Sequence, residues 1–264
     1  GVTRIVTPGT LVDESLLQDS QTNLLCALQT KENTVYISVC EISTGLFELH
    51  TTTFDRIEDA LERLGVAEVI VPEDDEALIS KVEHQAISLT KRPSWHFDIH
   101  EGSEQLKRQF RVTTLAGFGI DEQHPIVGVA GAILEYLGVT QASKDVLTHL
   151  QPPILRTTDQ FVALDATTIR SLEIEQTIRG NTSDGSLLWV MQHCKTAMGK
   201  RLLRRWLCEP LADRSAIEQR QDVVSTFKND RELHMTVCEE LERVQDVARI
   251  TGRVATRRVT PRDL

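Results

Sequence analysis

Residues 23–52 have the pattern of three consecutive antiparallel strands, which limits the possible folds more than any other feature of the chain. Val35, Ile37 and Val39 alternate with more polar neighbours, as a strand with one buried face requires. The Ser-Thr-Gly sequence at residues 43–45 then turns the chain into a further apolar stretch. Three strands with such short connections predict a meander, the start of a β-sheet.

Helix and strand patterns alternate after the meander. Apolar residues recur at helical spacing until Gly65, and a buried strand follows that ends at Pro72. Thr7-Pro8-Gly9-Thr10 has the composition of a type II turn. We therefore predict a linker over residues 1–12 and an α/β domain over residues 13–145. Its later elements are predicted as a second helix, a strand over 86–90, a helix near 103–110 and an apolar helix over 126–137 that Gly138 ends.

The second half has helical patterns. A short apolar strand or extended stretch over 161–164 is expected first, and Asp165 then stands at the N-cap of a helix that we expect to run to Gly180. Its carboxylate is placed to accept hydrogen bonds from the backbone N–H groups of Thr167 and Thr168. Further helices are predicted from Ser186, from Thr196, from a capping box at Ser215-x-x-Glu218, over 231–243, and over a last run containing Val247, Ile250 and Val254.

The predicted helix after Thr196 is amphipathic. Leu202 and Trp206 belong to its apolar stripe, and Lys200, Arg201, Arg204 and Arg205 lie on the opposite side. A solvated outer face is the ordinary role of such charges, and contact with phosphate is the alternative. Gly199-Lys200 resembles the end of a nucleotide-binding P-loop, but Cys194 and Arg201 stand where that loop needs Gly and Ser or Thr.

The charge distribution supports a division into two parts. Residues 1–145 hold 11 Lys and Arg against 23 Asp and Glu, a net charge of −12, whereas residues 146–264 hold 18 against 16. A strongly acidic half repels a phosphate backbone, so only the second half could lie near nucleic acid unaided. The fold class is thus multidomain, with an α/β domain followed by an all-α part over residues 146–264.

The sequence contains few groups that could perform chemistry. A meander followed by helix and strand opens a ribonuclease-H-like fold, and Glu41 is the carboxylate that a metal-dependent nuclease would use first. We expect Glu41 instead to be a surface acid at a strand end, and His96, His100 and His124 to be surface or loop residues. The five cysteines are expected to be mostly buried, reduced thiols. With no apolar run of spanning length and no leader, a soluble cytoplasmic protein is expected.

Five separated motifs resemble the MutS family of mismatch-recognition proteins. In order they are RIVTPGTLVDESLL, EISTG, FVALDATTIRSLEI, TAMGKRLLRRWLCEPL and RVATRRVTPRDL. The resemblance extends over essentially the whole chain. It implies a ribonuclease-H-like connector domain over residues 13–145 and the first part of the helical core over 146–264. The motif positions that it marks as structural are Asp165, Arg170, Gly199, Arg201 and Trp206.

The resemblance also implies a function and partners. A longer parent protein would bind mismatched duplex DNA, dimerise, and hydrolyse ATP with Mg²⁺ in a domain absent from this chain. This chain would be a non-catalytic, cofactor-free connector and scaffold that relays ATP state and docks a MutL-type protein. Glu104 and Gln105 match part of the family's docking helix, although Glu104 replaces an amide there.

Overall fold

The computed structural model describes residues 5–12, 22–141, 147–156 and 161–261. Its contacts divide the described chain into two units. The sheet unit comprises residues 5–12, 22–156 apart from the undescribed stretch, and 248–261; the helical unit comprises residues 161–247. A mixed α/β sheet followed by a helical region confirms the broad fold class.

The sheet unit is built on six strands in the order β5-β4-β1-β2-β3-β6. Strands β1, β2 and β3 form the predicted antiparallel meander. Strand β4 pairs parallel to β1, β5 pairs parallel to β4, and β6 pairs parallel to β3. The strands are β1 (Leu24–Lys31), β2 (Thr34–Glu41), β3 (Leu46–Thr53), β4 (Val66–Pro72), β5 (Ser88–Arg92) and the two-residue β6 (Ile154–Leu155).

Helices cover both faces of this sheet. Side chains of α1 (Ile57–Leu64) and α2 (Glu76–Glu83) pack on one face, and those of α3 (Ile99–Phe110) and α4 (Ile126–Thr140) pack on the other. The alternation in β2 predicts only one buried face, yet Ser38 is also fully buried because α4 lies above it. Two helix bounds also differ from the predictions: α3 begins at Ile99, and α4 passes through Gly138 to Thr140.

The helical unit contains five helices among its described residues: α5 (Ala166–Ser171), α6 (Leu187–Met191), α7 (Ala197–Cys208), α8 (Arg214–Asn229) and α9 (Arg231–Glu242). The predicted continuation of α5 to Gly180 is wrong, because the chain turns after Ser171 and Glu173 takes a left-handed φ of 49°. The cap of α8 is Asp213, whose Oδ1 accepts from Ala216 N at 2.8 Å, rather than Ser215. Residues 161–164 form no regular strand, and residue 161 makes a single bridge with Leu211, as the extended alternative allows.

Two helices bury arginines where apolar stripes were predicted. In α7, Arg201 is 8% exposed while Leu202 and Trp206 are 47% and 41% exposed. In α10 (Val247–Ala255), the last helix of the described chain, Arg249 and Arg253 are buried while Val254 is half exposed. Both predicted helices are confirmed, but α7 buries Arg201, which lies on the face that was predicted to be solvated.

The predicted N-terminal turn is a short 3-10 helix, Pro8–Thr10, and Gly9 is not among the residues with positive φ. Gly9 is needed for space, because a Cβ there would lie 2.8 Å from the Cβ of Glu68. The backbone N–H of Gly9 donates to Glu68 Oε2 at 2.9 Å. This part of the predicted linker is therefore packed against β4.

Candidate partner-docking surface

The docking residues implied by the sequence lie on α3. Asp98 caps this helix, since its Oδ1 accepts from His100 N at 2.8 Å and from Glu101 N at 3.1 Å. Glu104 is exposed, and Gln105, beside it, is half-buried. Because residues three apart on a helix are neighbours, Glu101 and Glu104 form one acidic strip along α3.

Lys107 partly neutralises that strip. Its Nζ lies 2.8 Å from Glu104 Oε1 and 3.2 Å from Glu122 Oε2. The hydrogen bond and charge of Lys107 hold the pKa of Glu104 below its usual value. Glu101 has no such neighbour among the described residues, so the negative charge of the strip is strongest toward the start of α3.

The turn before α3 presents an aromatic residue to solvent. Trp95 is 66% exposed, and its ring lies on the ring of His96 with centroids 3.7 Å apart. His96 is buried, which corrects its prediction as a surface or loop residue, whereas His100 and His124 are exposed as predicted. Burial lowers the pKa of His96, and Glu135, 3.4 Å from its Nδ1, opposes that effect. The imidazole is therefore a neutral platform for Trp95 near pH 7.

A groove of about 720 Å³ opens beside this turn, between the end of β1 and the start of α3. We call it the Trp95 groove; Gln29, Lys31, Trp95, Asp98, Ile99 and Glu101 line it. Sequence reasoning missed it because its walls are about 65 residues apart in the chain. The sequence predicts the helix only from about residue 103, and it indicates neither the exposure of Trp95 nor its position beside β1.

The EISTG motif forms the β2–β3 turn, and two segments distant in sequence pack against it. Gly45 has φ 78°, and its N–H donates to Glu41 O at 2.8 Å. On the outside of the turn lies α10, where a Cβ at Gly252 would overlap the carbonyl oxygen of Ser43. The segment before β6 packs there as well, because His149 Nε2 lies 2.7 Å from Ile42 O. The EISTG turn thus holds together three segments that are far apart in sequence.

Glu41 is buried, which corrects its prediction as a surface acid. It is 2% exposed, and its carboxylate accepts from Asn23 N at 3.0 Å and from Thr44 Oγ1 at 2.7 Å. These bonds fix the start of β1 and the β2–β3 turn. Glu41 therefore has a structural role.

The buried carboxylates of the sheet do not converge on a metal site. Glu68 packs toward α4 and accepts from Tyr136 Oη at 2.5 Å and from Thr90 Oγ1 at 3.1 Å. Strand register places Glu41 and Glu48 on the opposite face. Glu48 is already paired with Arg156, 2.5 Å away. Among the described residues, no group of three or more His, Cys, Asp or Glu side chains could hold a metal ion.

The other two long motifs meet in the helical unit. Asp165 caps α5, with Oδ1 accepting from Thr168 N at 2.6 Å. Ile169 of the first motif packs with Cys208 of the second. Glu175, the residue that follows the first motif, forms an ion pair with Arg204 of the second. Arg170, by contrast, lies on the exposed side of α5.

Most of the basic residues of α7 are paired within the protein. Arg201 reaches Asp246 through two hydrogen bonds of 2.7 and 2.8 Å, and Arg205 pairs with Glu209 at 3.0 Å. Trp206 lies under the guanidinium of Arg220, 3.6 Å from the ring centroid. Three of the four basic residues of this face, counting Arg204, are thus paired with carboxylates, which favours a structural role for this helix.

Gly199 belongs to the cap of α7, since its N–H donates to Thr196 Oγ1 at 3.0 Å.

The five cysteines are free thiols; Cys26, Cys40 and Cys208 are buried and the other two are half-buried. None of the described helices is long and apolar enough to cross a membrane.

We expect Asp165→Ala to lower the free energy of unfolding of the helical unit by about 1 kcal/mol, because one backbone N–H at the start of α5 loses its acceptor. Thermal unfolding followed by circular dichroism measures this loss. Asp165→Asn is the matched control and should retain most of the stability. An unchanged midpoint in the Ala variant would show that the cap contributes little.

Comparisons with known proteins assign both units. Residues 23–151 match the family model described as MutS domain II, and residues 167–264 match the model described as MutS domain III. The DNA mismatch repair protein MutS of Alkaliphilus oremlandii (strain OhILAs) is 34% identical over 273 residues, covering 100% of this chain and 31% of that relative. The chain therefore spans about a third of the length of the curated relative that it matches.

Proposed function

Because the chain belongs to the MutS family of mismatch repair proteins, we propose that it works as a connector and scaffold that docks a protein partner. The supporting observation is the α3 face, where Trp95, Glu101 and Glu104 are exposed together beside a groove. The domain limits, 1–12, 13–145 and 146–264, stay predictions. The cytoplasmic location also stays a prediction.

We assign a ribonuclease-H-like topology to the sheet unit. In its support, β1 lies between the antiparallel meander on one side and the parallel strands β4 and β5 on the other. The two sheet faces are covered by two helices each, as a sheet with parallel strands requires. The assignment concerns the fold alone and implies no nuclease chemistry.

The proposed role is non-catalytic. The buried carboxylates lie on both faces of the sheet and are bonded to protein donors, so they are not available as ligands for catalytic Mg²⁺. Gly199 lies in a helix cap rather than in a phosphate-binding loop. In this proposal ATP and Mg²⁺ bind elsewhere in a longer parent protein, which dimerises and binds mismatched duplex DNA.

The relay of ATP state to the connector is proposed to pass through the EISTG turn. Gly252 of α10 touches the turn closely, and the 149–151 segment is bonded to it through Ile42 and Gly45. A shift of α10 must therefore move the turn or break this packing, since close-packed backbones cannot deform gradually. This contact gives the connector a mechanical link to the segment that follows the core helices.

The partner proposed for α3 is a MutL-type protein. We expect Glu104→Lys to weaken binding of that protein to this chain about tenfold or more. The substitution reverses the charge at this position and places a second positive charge beside Lys107. Gln105→Ala should have a smaller effect in the same direction. Surface plasmon resonance with immobilised chain at moderate salt measures both.

The matched control is Glu76→Lys, in which the same reversal is made on α2 at the opposite face of the sheet. It should leave the affinity within about twofold. Equal losses for Glu104→Lys and Glu76→Lys would mean that net charge, rather than the α3 surface, governs association.

A further inference from the structure

We propose that the Trp95 groove binds an arginine side chain from a basic segment of a protein partner. The guanidinium would stack on the exposed indole and donate hydrogen bonds to the Gln29 amide oxygen and to the carboxylates at the start of α3. This inference deepens the proposed docking role and rests on it, because Glu101 joins the groove to the strip that contains Glu104.

Trp95 provides the platform for this contact. One face of its indole lies against His96, and the residue remains 66% exposed. Indole is the aromatic ring that attracts a cation most strongly, and a planar guanidinium stacks on it. The turn that carries Trp95 is held by polar contacts. Arg92 donates hydrogen bonds of 2.9 and 2.8 Å to Glu135, and Glu135 lies beside His96. The indole is therefore presented in a defined orientation.

Gln29 provides an acceptor in the wall of the groove. Its Oε1 is buried beside Gly128 and meets no donor among the described residues, so a bound donor reaches it only after the side-chain amide turns toward the groove. The amide lies over Gly128 of α4, so it is held between the helix and the groove. A buried acceptor without a partner is costly, and a donor from a bound molecule recovers that cost. A guanidinium, with five N–H donors, reaches such an acceptor while stacked on a ring.

The charge of the surrounding surface selects a cation. Asp98 and Glu101 both line the groove, and Asp98 Oδ1 also accepts the two backbone hydrogen bonds that cap α3. Lys31 also lines the groove, and its charge opposes any bound cation, so the preference for arginine over lysine rests on the planar guanidinium, which stacks on the indole. The net charge of −12 over residues 1–145 attracts a basic segment and repels a phosphate backbone. An arginine in a protein segment fits these conditions better than a lysine or a nucleic acid.

The first test uses the 264-residue chain with three capped pentapeptides, Gly-Gly-X-Gly-Gly with Arg, Lys or Gln at the centre. The indole N–H signals of the three Trp residues are followed by ¹H–¹⁵N NMR and assigned with single Trp variants. We expect a saturable shift of the Trp95 signal with the Arg peptide, a weaker one with Lys, and none with Gln. Equal shifts with all three peptides, or no saturation, would overturn the inference.

Variants locate the site. Trp95→Leu keeps apolar area but removes the ring and its indole signal, so binding to this variant is followed by the backbone amide signals of Asp98 and Glu101. Arg-peptide binding should be weakened about tenfold. Glu101→Gln should weaken it by a smaller factor. Glu76→Gln is the matched control, because it is also a first-turn glutamate but lies on α2. Binding that is as strong in Trp95→Leu as in the parent chain would exclude the groove.

A second arm separates this inference from the docking proposal. Trp95→Leu should also weaken binding of a purified MutL-type protein. If that protein binds the parent chain and is weakened by Glu104→Lys but not by Trp95→Leu, the groove inference fails while the docking surface stands. If the Arg peptide binds the groove but no MutL-type protein binds the chain, the docking proposal fails while the groove stands.

Discussion

Gly102→Ala should destabilise the sheet unit by about 2–3 kcal/mol, although alanine favours a helix over glycine by about 1 kcal/mol. A Cβ at this position of α3 would overlap the carbonyl oxygen of Val127 and press on Gly128 of α4. Both neighbours are backbone, so no rotamer change relieves the overlap and α3 must move off α4. Chemical denaturation followed by Trp95 fluorescence, with Trp189 and Trp206 replaced by Phe, measures the loss.

Gly117→Ala is the matched control for this prediction. A Cβ at Gly117 would meet nothing within 4 Å, and Gly117 is not among the residues with positive φ. The free energy of unfolding of the Gly117→Ala variant should rise by less than about 1 kcal/mol. Equal stability of Gly102→Ala and Gly117→Ala would mean that the two helices do not approach as closely as described.

Arg201→Leu should destabilise the helical unit by about 3–4 kcal/mol, because it leaves Asp246 in a buried position without the guanidinium that it binds. The side chains of the two residues are 8% and 10% exposed, and two hydrogen bonds of 2.7 and 2.8 Å join them. Denaturation followed by fluorescence of the helical unit, with Trp95 replaced by Phe, measures the effect.

Two controls show whether burial of the Arg201–Asp246 pair causes the loss of stability. Arg214→Leu removes an arginine from an ion pair with Glu218 in which the arginine side chain is 90% exposed, and should cost less than about 0.5 kcal/mol. Arg201→Leu combined with Asp246→Leu should recover part of the loss, since the buried carboxylate is removed as well. A single Arg201 variant as stable as the Arg214 variant would show that the pair is solvated.

Local sequence signals predicted the elements of the sheet unit well. The meander followed from alternation and a glycine turn, and α1 ends at Gly65, which takes a left-handed φ of 71°. These signals succeed because a turn or a cap depends on residues close in sequence. They failed at α5, where an apolar spacing continued through Leu172 although that residue is 61% exposed.

Contacts between distant segments could not be predicted from one sequence. The orientation of α7 depends on Asp246, 45 residues beyond Arg201, and amphipathic spacing does not reveal that an arginine is the buried residue. The burial of Glu41 depends on donors from Asn23 and Thr44. The Trp95 groove needs β1 beside the start of α3. The motif resemblance identified the family, whereas geometry was required to find the groove.

The central claim, that this chain docks a protein and neither recognises a mismatch nor cuts DNA, is tested most directly by parallel binding measurements. The chain is titrated against a purified MutL-type protein and against labelled heteroduplex and homoduplex DNA with Mg²⁺, at the same moderate salt. We expect saturable binding to the protein, and no preference for the heteroduplex and no cleavage of either DNA. Tight, mismatch-selective DNA binding without association with the MutL-type protein would contradict the account.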